Sequence, residues 1–181
     1  MKIKNLGWYI TMLILFGIVF YVIPKYQIDN DTKLFENNYE TIAYCQLETK
    51  SLLSYKNKQL VKWNYTIDGR NYRKVKDQTN NIQDSEYYII HYNPQNKEDI
   101  VIDYKKFVIK GNYKNTSSLN IKEDLLNNDL VTFEYFVNDK KYKRIQSCEL
   151  NNGLDLEKEY LVKYKVENPK IAYVFLDSIR K

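Results

Sequence analysis

The chain has 181 residues, 44% hydrophobic and 28% charged, which is enough apolar material for a folded core and excludes disorder as the default state. The formal charge is +5, but Lys2, Lys4 and Lys25 all precede the first acid, Asp29, so the rest of the chain is close to neutral and lacks the clustered basic excess of a nucleic-acid binder. Two cysteines and one histidine, with no C-x-x-C or Cys/His spacing, exclude a zinc finger or a dithiol redox motif.

The first element is an apolar helix. Asn5 to Pro24 carries no charged side chain and, at ~1.5 Å per residue, reaches about 30 Å, the hydrocarbon thickness of a bilayer. Leu6, Leu13, Leu15, Phe16, Val19, Phe20 and Ile23 supply its lipid-facing bulk, with Trp8 and Tyr9 at one end and Tyr21 at the other, as an aromatic belt requires. The run is longer than a signal-peptide core, and the first alanine in the chain is Ala43, so no A-x-A-like cleavage site follows. Residues 1–28 therefore read as a tail and a single transmembrane helix, and 29–40 as a juxtamembrane linker. Lys and Arg are nearly balanced across the span, but the short leading tail suits an N-inside signal anchor with the bulk of the chain outside the cytoplasm.

Two related runs of short strands follow, predicted over 41–105 and 106–181. In the first, Thr41–Glu48 is an opening strand. Val61, Trp63, Tyr65 and Ile67 then alternate with polar residues at the period of a half-buried strand. Asp68-Gly69 is a two-residue hairpin signal, and Asn71–Val75 returns with Tyr72 and Val75 as inward residues. After a polar loop at Asn80-Asn81, Tyr88, Ile90 and Tyr92 form the next inward row. Asn93-Pro94 stops that strand, because proline lacks the amide hydrogen a ladder needs, and Asp99–Asp103 closes the run.

The second run repeats the plan. Phe107–Tyr113 is the expected opening strand, and Asn120–Leu130 is either a short helical turn or a loop. Val131, Phe133, Tyr135 and Val137 take the places of Val61 to Ile67. Asn138-Asp139 replaces the turn, and Tyr142 and Ile145 replace Tyr72 and Val75, so that every inward position stays apolar. Asn151-Asn152 is the polar loop, followed by Tyr160, Val162 and Tyr164. Lys165–Glu167 then reads as an insertion before Asn168-Pro169, and Ile171–Asp177 is the last strand. The expected fold is all-β with an N-terminal transmembrane helix: two tandem small antiparallel barrels or rolls of about five strands each. Units of this size are marginal alone and would pack together.

The paired signature, Y-x-I/V-x-x-x-x-Y, a polar loop, Y-x-I/V-x-Y and a nearby Asn-Pro, resembles a widespread bacterial domain of unknown function found in membrane-anchored proteins. That pattern runs Y-x-V-x-G-x-x-Y, G-D, V-x-Y, N-P, and the resemblance covers Thr41–Asp103 and Val131–Asp177. It departs where Asp139 replaces the hairpin glycine, and where Gln83-Asp84 and Leu154-Asp155 stand in place of Gly-Asp. The resemblance implies a membrane helix joined to a small β-domain and supplies no mechanism.

No catalytic set is expected. His91 corresponds to Lys163 and is predicted to face solvent rather than act as a base or ligand. Asp84, Glu86, Asp155, Glu157 and Glu159 fall in corresponding loops and read as solvated turns rather than a cation site, since calcium needs convergent oxygens. Neither a metal nor a cofactor is expected. Cys45 and Cys148 are open between one disulfide and two free thiols. The tyrosines read as core, not as a stacking platform for single-stranded nucleic acid, which is not an expected partner. The expected protein is a non-enzymatic, single-pass protein of a bacterial cytoplasmic membrane. Its duplicated β-region binds or scaffolds another envelope protein, and homo-oligomerisation is left open. The alternatives are a glycan- or lipid-binding module at the junction of the two runs and an immunity-type inhibitor acting at the membrane.

Overall fold

The computed structural model describes residues 6–48, 59–78, 81–124, 129–150 and 154–179. Lys2, Lys4, Asn80, Asn151, Asn152 and the side chain of Leu6 lie outside the described residues.

One continuous helix opens the chain: α1 (Leu6–Gly17), a π-helical turn (Ile18–Val22) and α2 (Ile23–Glu36). Its Gly7–Glu36 stretch is long and apolar enough to cross a membrane, and none of its apolar window is buried in the protein, as befits an anchor or a signal sequence. Trp8, Tyr9, Leu13, Leu15, Phe16, Val19, Phe20, Tyr21 and Ile23 are all exposed along it. The Thr11 hydroxyl donates to Gly7 O at 2.9 Å, so it brings no unsatisfied donor into the apolar stretch. Pro24 does not end the helix, and residues 29–36, expected as linker, are helical. The π-turn explains this. Pro24 lies in the first turn of α2, where a missing N–H costs least, and the Ile23 N–H reaches back to Ile18 O.

The chain divides into two compact units. One joins the helical segment, up to Tyr39, to His91–Val101; the other holds Glu40–Ile90 and Ile102–Lys181. In the first, Asn30 Nδ2 donates to Asp99 Oδ2 at 3.2 Å, the Phe35 and His91 rings lie 5.1 Å apart, and the Tyr92 N–H donates to Tyr39 O at 3.0 Å.

The strands are β1 (Glu40–Leu47), β2 (Leu60–Ile67), β3 (Arg70–Asp77), β4 (Tyr87–Tyr92), β5 (Ile100–Phe107), β6 (Tyr113–Ser117), β7 (Ile121–Glu123), β8 (Leu130–Val137), β9 (Lys140–Ser147), β10 (Tyr160–Lys165) and β11 (Ala172–Ile179). The first five form one open sheet in the order β3-β2-β1-β4-β5. The rest form two three-stranded sheets, β11-β10-β6 and β7-β8-β9. Among the described residues no sheet closes into a barrel, which corrects the barrel expectation. If β6 and β7 count as one strand broken at Ser118–Asn120, the second set has the order β9-β8-(β7, β6)-β10-β11, the same as the first. The break lets β6 pair with β10 while β7 pairs with β8. Phe107 ends β5, so the opening strand of the second set is β6 and not Phe107–Tyr113. Residues 121–123 are strand rather than a helical turn.

Both hairpins close through two-residue turns of the same hand. Ile67 pairs with Arg70 around Asp68 (φ 50°) and Gly69 (φ 73°), and Val137 pairs with Lys140 around Asn138 (φ 49°) and Asp139 (φ 61°). Positive φ at both central positions matches the twist of the strands. Asp139 pays a left-handed cost that glycine avoids. Asp139→Gly is expected to raise stability by roughly 0.5–1 kcal/mol in chemical denaturation, with the slope of the transition unchanged.

These ladders carry no bulge, so residues separated by an even number share a face. Tyr72, Lys74 and Lys76 are half-buried on the inward side of β3, whereas Val75 is exposed. On β9 the inward residues are Tyr142, Arg144 and Gln146. The expectation that every inward position is apolar, with Val75 and Ile145 among them, is therefore corrected. Tyr72 and Val75 are three residues apart and cannot share a face.

The hydrogen-bonded spans that follow β4 and close β10, 93–99 and 165–171, have equal length. The Asn93 N–H bonds to Asp99 O, Asn96 to Asn93 O and Asp99 to Asn96 O; Lys165, Asn168 and Ile171 repeat the set. Asn96 Oδ1 accepts from the Glu98 N–H, as Asn168 Oδ1 accepts from Lys170. There is no insertion at Lys165–Glu167. The recurring residue is the asparagine at 96 and 168, and Pro94 and Pro169, both half-buried, occupy different positions of one loop design.

Candidate functional site

Two places gather polar chemistry: the seam between the two sets of strands, and the outer face of the five-stranded sheet.

The seam is built on alternation. Val61, Trp63, Tyr65, Ile67, Tyr88 and Ile90 are buried in the first set, and Val131, Phe133, Tyr135, Val137, Tyr160 and Val162 in the second; Tyr92, Tyr142 and Tyr164 are half-buried. Trp63 packs edge-on against Tyr88 and Tyr104, with centroids 5.9 and 6.1 Å away. The Tyr135 hydroxyl donates to Pro169 O. Gln146 makes a two-point bridge to β11: its Nε2 donates to Val174 O at 3.1 Å, and its Oε1 accepts from the Val174 N–H at 2.8 Å.

Glu86 and Arg144 lie in this core as a direct ion pair, with side chains 0% and 3% exposed. Ser85, at φ 71°, turns the chain just before β4 and aims Glu86 inward. Glu86 Oε2 accepts from the Gln83 N–H at 2.8 Å and from the Tyr88 hydroxyl at 3.3 Å. The Arg144 guanidinium lies 6.0 Å from the centre of the Tyr173 ring, which stacks on Phe107 at 4.1 Å. Burial pushes the Glu86 carboxyl above the ordinary carboxylate range, and the attraction of Arg144 offsets this in part. Burial also raises the Tyr88 and Tyr173 hydroxyls, which stay protonated, and the Tyr88 hydroxyl donates to Glu86. The geometry suits a structural tie between the two sets.

The acidic residues do not converge. Glu86 is buried rather than solvated. Asp84 accepts from the Leu47 N–H at 2.9 Å, and Asp155 pairs with Lys158 at 2.7 Å; Glu157 and Glu159 are exposed. Among the described residues no three His, Cys, Asp or Glu side chains are grouped to hold a metal. His91 is 3% exposed rather than solvent-facing, because the end of α2 brings Phe35 over its ring and the Asn37 carbonyl to 3.5 Å from Nδ1. Cys45 and Cys148 are separate buried thiols. Burial pushes them up to about 12 and about 11, so neither forms a reactive thiolate near neutral pH.

The outer face differs in character. A cleft of about 700 Å³ opens over β1–β4, lined by Thr41, Ile42, Tyr44, Asn64, Thr66 and Arg73 among others, with Tyr87 and Lys110 at one end. Arg73 Nε donates to Asn64 Oδ1 at 3.2 Å, Tyr44 and Tyr87 lie 5.2 Å apart, and Lys110 Nζ sits 4.7 Å over the Tyr87 ring. Among the described residues its lining holds donors, rings and cations and no carboxylate or imidazole.

No family model matches the chain, and no curated protein or solved structure matches it. The functional reading therefore rests on the residues and geometry above.

Proposed function

We propose that this is a non-catalytic, membrane-anchored envelope protein. Its N-terminal helix holds it in a bacterial cytoplasmic membrane with the β-region outside, where that region binds another envelope protein. The observation that carries this reading is the outer cleft over β1–β4, rich in tyrosine, asparagine and cations and, among the described residues, lined by no carboxylate or imidazole, on a chain that also carries an apolar helix of membrane-spanning length. Tyrosine and arginine are enriched where proteins meet, because they combine large contact area with polar reach. We read the two sets of strands as diverged tandem copies of one unit, as in the membrane-anchored β-domain family the sequence resembles. Matching strand order, matching hairpin turns and the Asn96/Asn168 loop support this. The centre of the seam is occupied by Glu86, Arg144 and their aromatic neighbours, which favours the outer face over the junction as the binding surface.

The test is photo-crosslinking in intact cells from a probe residue placed at Thr66, on the exposed rim of the cleft. The reading predicts a reproducible adduct with one envelope protein, absent when the probe is moved to buried Val131. No adduct above the buried-site control, at native expression, would sink it.

A further inference from the structure

The outer cleft has a linear order. Arg73 is the cross-strand partner of Asn64, and Asn64 is the partner of Tyr44. Tyr87 comes next, and Lys110 Nζ lies over its ring. A single row thus runs cation, amide, ring, ring, cation. Among the described residues none that lines the cleft is acidic, and neither Arg73 nor Lys110 makes an ion pair. Surface cations are ordinarily interspersed with acids.

The second set of strands follows that ordinary rule at the same register. Lys143 stands where Arg73 does, and its cross-strand partner is Glu134, where the first set has Asn64. Glu134 also binds Lys141 at 2.8 Å and accepts from Asn120 at 2.7 Å. The same scaffold neutralises its outer row in one set and leaves it cationic in the other.

Three inter-strand steps separate β3 from β4, on the order of 14 Å at ~4.8 Å each. An extended peptide advances ~3.3 Å per residue, so two carboxylates four residues apart span the same distance. Between the cations, Asn64 and the Tyr44 hydroxyl, with Thr66 beside them on the same face, offer the adaptable polar contacts found on protein-recognition surfaces. Lys110 covers one face of Tyr87, which removes that face as a stacking platform for a sugar ring.

We propose that this row docks an extended acidic segment of the partner protein, with carboxylates four residues apart reaching Arg73 and Lys110. This rests on the protein-binding function proposed above and adds the chemistry of the partner. The probe is a fluorescent, blocked Ser/Gly peptide carrying two glutamates four positions apart, titrated by anisotropy against the full chain in zwitterionic nanodiscs. Saturable binding is expected, weakening as salt rises and falling by about tenfold or more in Arg73→Glu/Lys110→Glu. Arg73→Gln/Lys110→Gln, which adds no repulsion, should give an intermediate loss, and it carries the test if the charge-reversed protein unfolds. Absence of binding by the wild type, equal binding by folded double variants, or tighter binding of a uronic-acid polysaccharide than of the peptide would overturn the proposal. A crosslinked envelope partner that persists in the double variants would remove the acidic-segment assignment and leave the binding function standing. Failure of the crosslink in the wild type would remove the function itself.

Discussion

Arg144→Met is expected to cost about 3–5 kcal/mol at neutral pH, because it leaves the Glu86 carboxylate buried without its counter-charge. The loss depends on pH with a defined sign. Burial holds the folded-state pKa of Glu86 above its unfolded value, and removing Arg144 takes away the attraction that opposes this. A group whose folded pKa is raised stabilises fully below the unfolded carboxylate value, about 4.3, and that contribution is lost as pH rises through the raised value. Arg144→Met should therefore recover part of its stability on acidification, as Glu86 takes up a proton. Glu86→Gln strands the arginine instead, which cannot deprotonate, so the stability of that variant should show no Glu86-linked change over the same pH range. The double variant Glu86→Leu/Arg144→Met should regain most of the Arg144→Met loss, falling short of the wild type only by the Gln83 N–H and Tyr88 hydroxyl bonds it abandons. Arg144 Nε and Nη1 have no protein acceptor among the described residues, so the native pair does not recover its full desolvation cost. Urea denaturation between pH 5 and 8 tests all three. A double variant no better than Arg144→Met would show that the pair stabilises the seam by more than its shape.

Trp63→Ala is expected to cost about 3–5 kcal/mol, the range for deleting a buried large aromatic side chain. Trp63 is fully buried and anchors the ring cluster with Tyr88 and Tyr104. Trp63→Phe should cost far less, under about 1.5 kcal/mol, for two reasons. Its Nε1 has no hydrogen-bond partner among the described residues, so removing it abandons none of the bonds seen there. The equivalent place in the second set is already held by fully buried Phe133. Equal losses in the two variants would mean that the indole shape, rather than aromatic volume, holds this core.

The apolar helix and the antiparallel β character are legible in the sequence, because a charge-free run and a period-2 alternation each have one cheap physical solution. Asp68-Gly69 and Asn138-Asp139 are legible as turns because few residue pairs accept positive φ twice. What sequence reading misses follows from favouring residue type over parity. Counting in twos from Tyr88 puts Glu86 inside, and counting in twos from Tyr142 puts Arg144 and Gln146 inside. Glu86 and Arg144 conflict with the habit that charge faces water, and each is made tolerable only by the other across the two sets of strands, while Gln146 is satisfied by Val174 within its own set. His91 is misjudged because its cover comes from the end of α2, distant in sequence. The Asn-Pro match is misleading because proline is readily seen, while the recurring bond-making asparagine lies two residues after Pro94 but immediately before Pro169. The outer cleft is invisible as a unit, since Arg73, Asn64, Tyr44, Tyr87 and Lys110 come from five separate segments. The one signal available in advance is that Arg73 and Lys143 correspond while Asn64 and Glu134 differ.

The central claim is that the β-region is exposed outside the cytoplasm on a membrane anchor. The most direct test fuses, after Lys181, a reporter active only outside the cytoplasm and, in parallel, one active only within it. The account predicts activity from the outside reporter alone, in the membrane fraction. Activity from the cytoplasmic reporter alone would contradict it, placing the acidic-segment cleft in the cytosol and ending the case for an envelope partner.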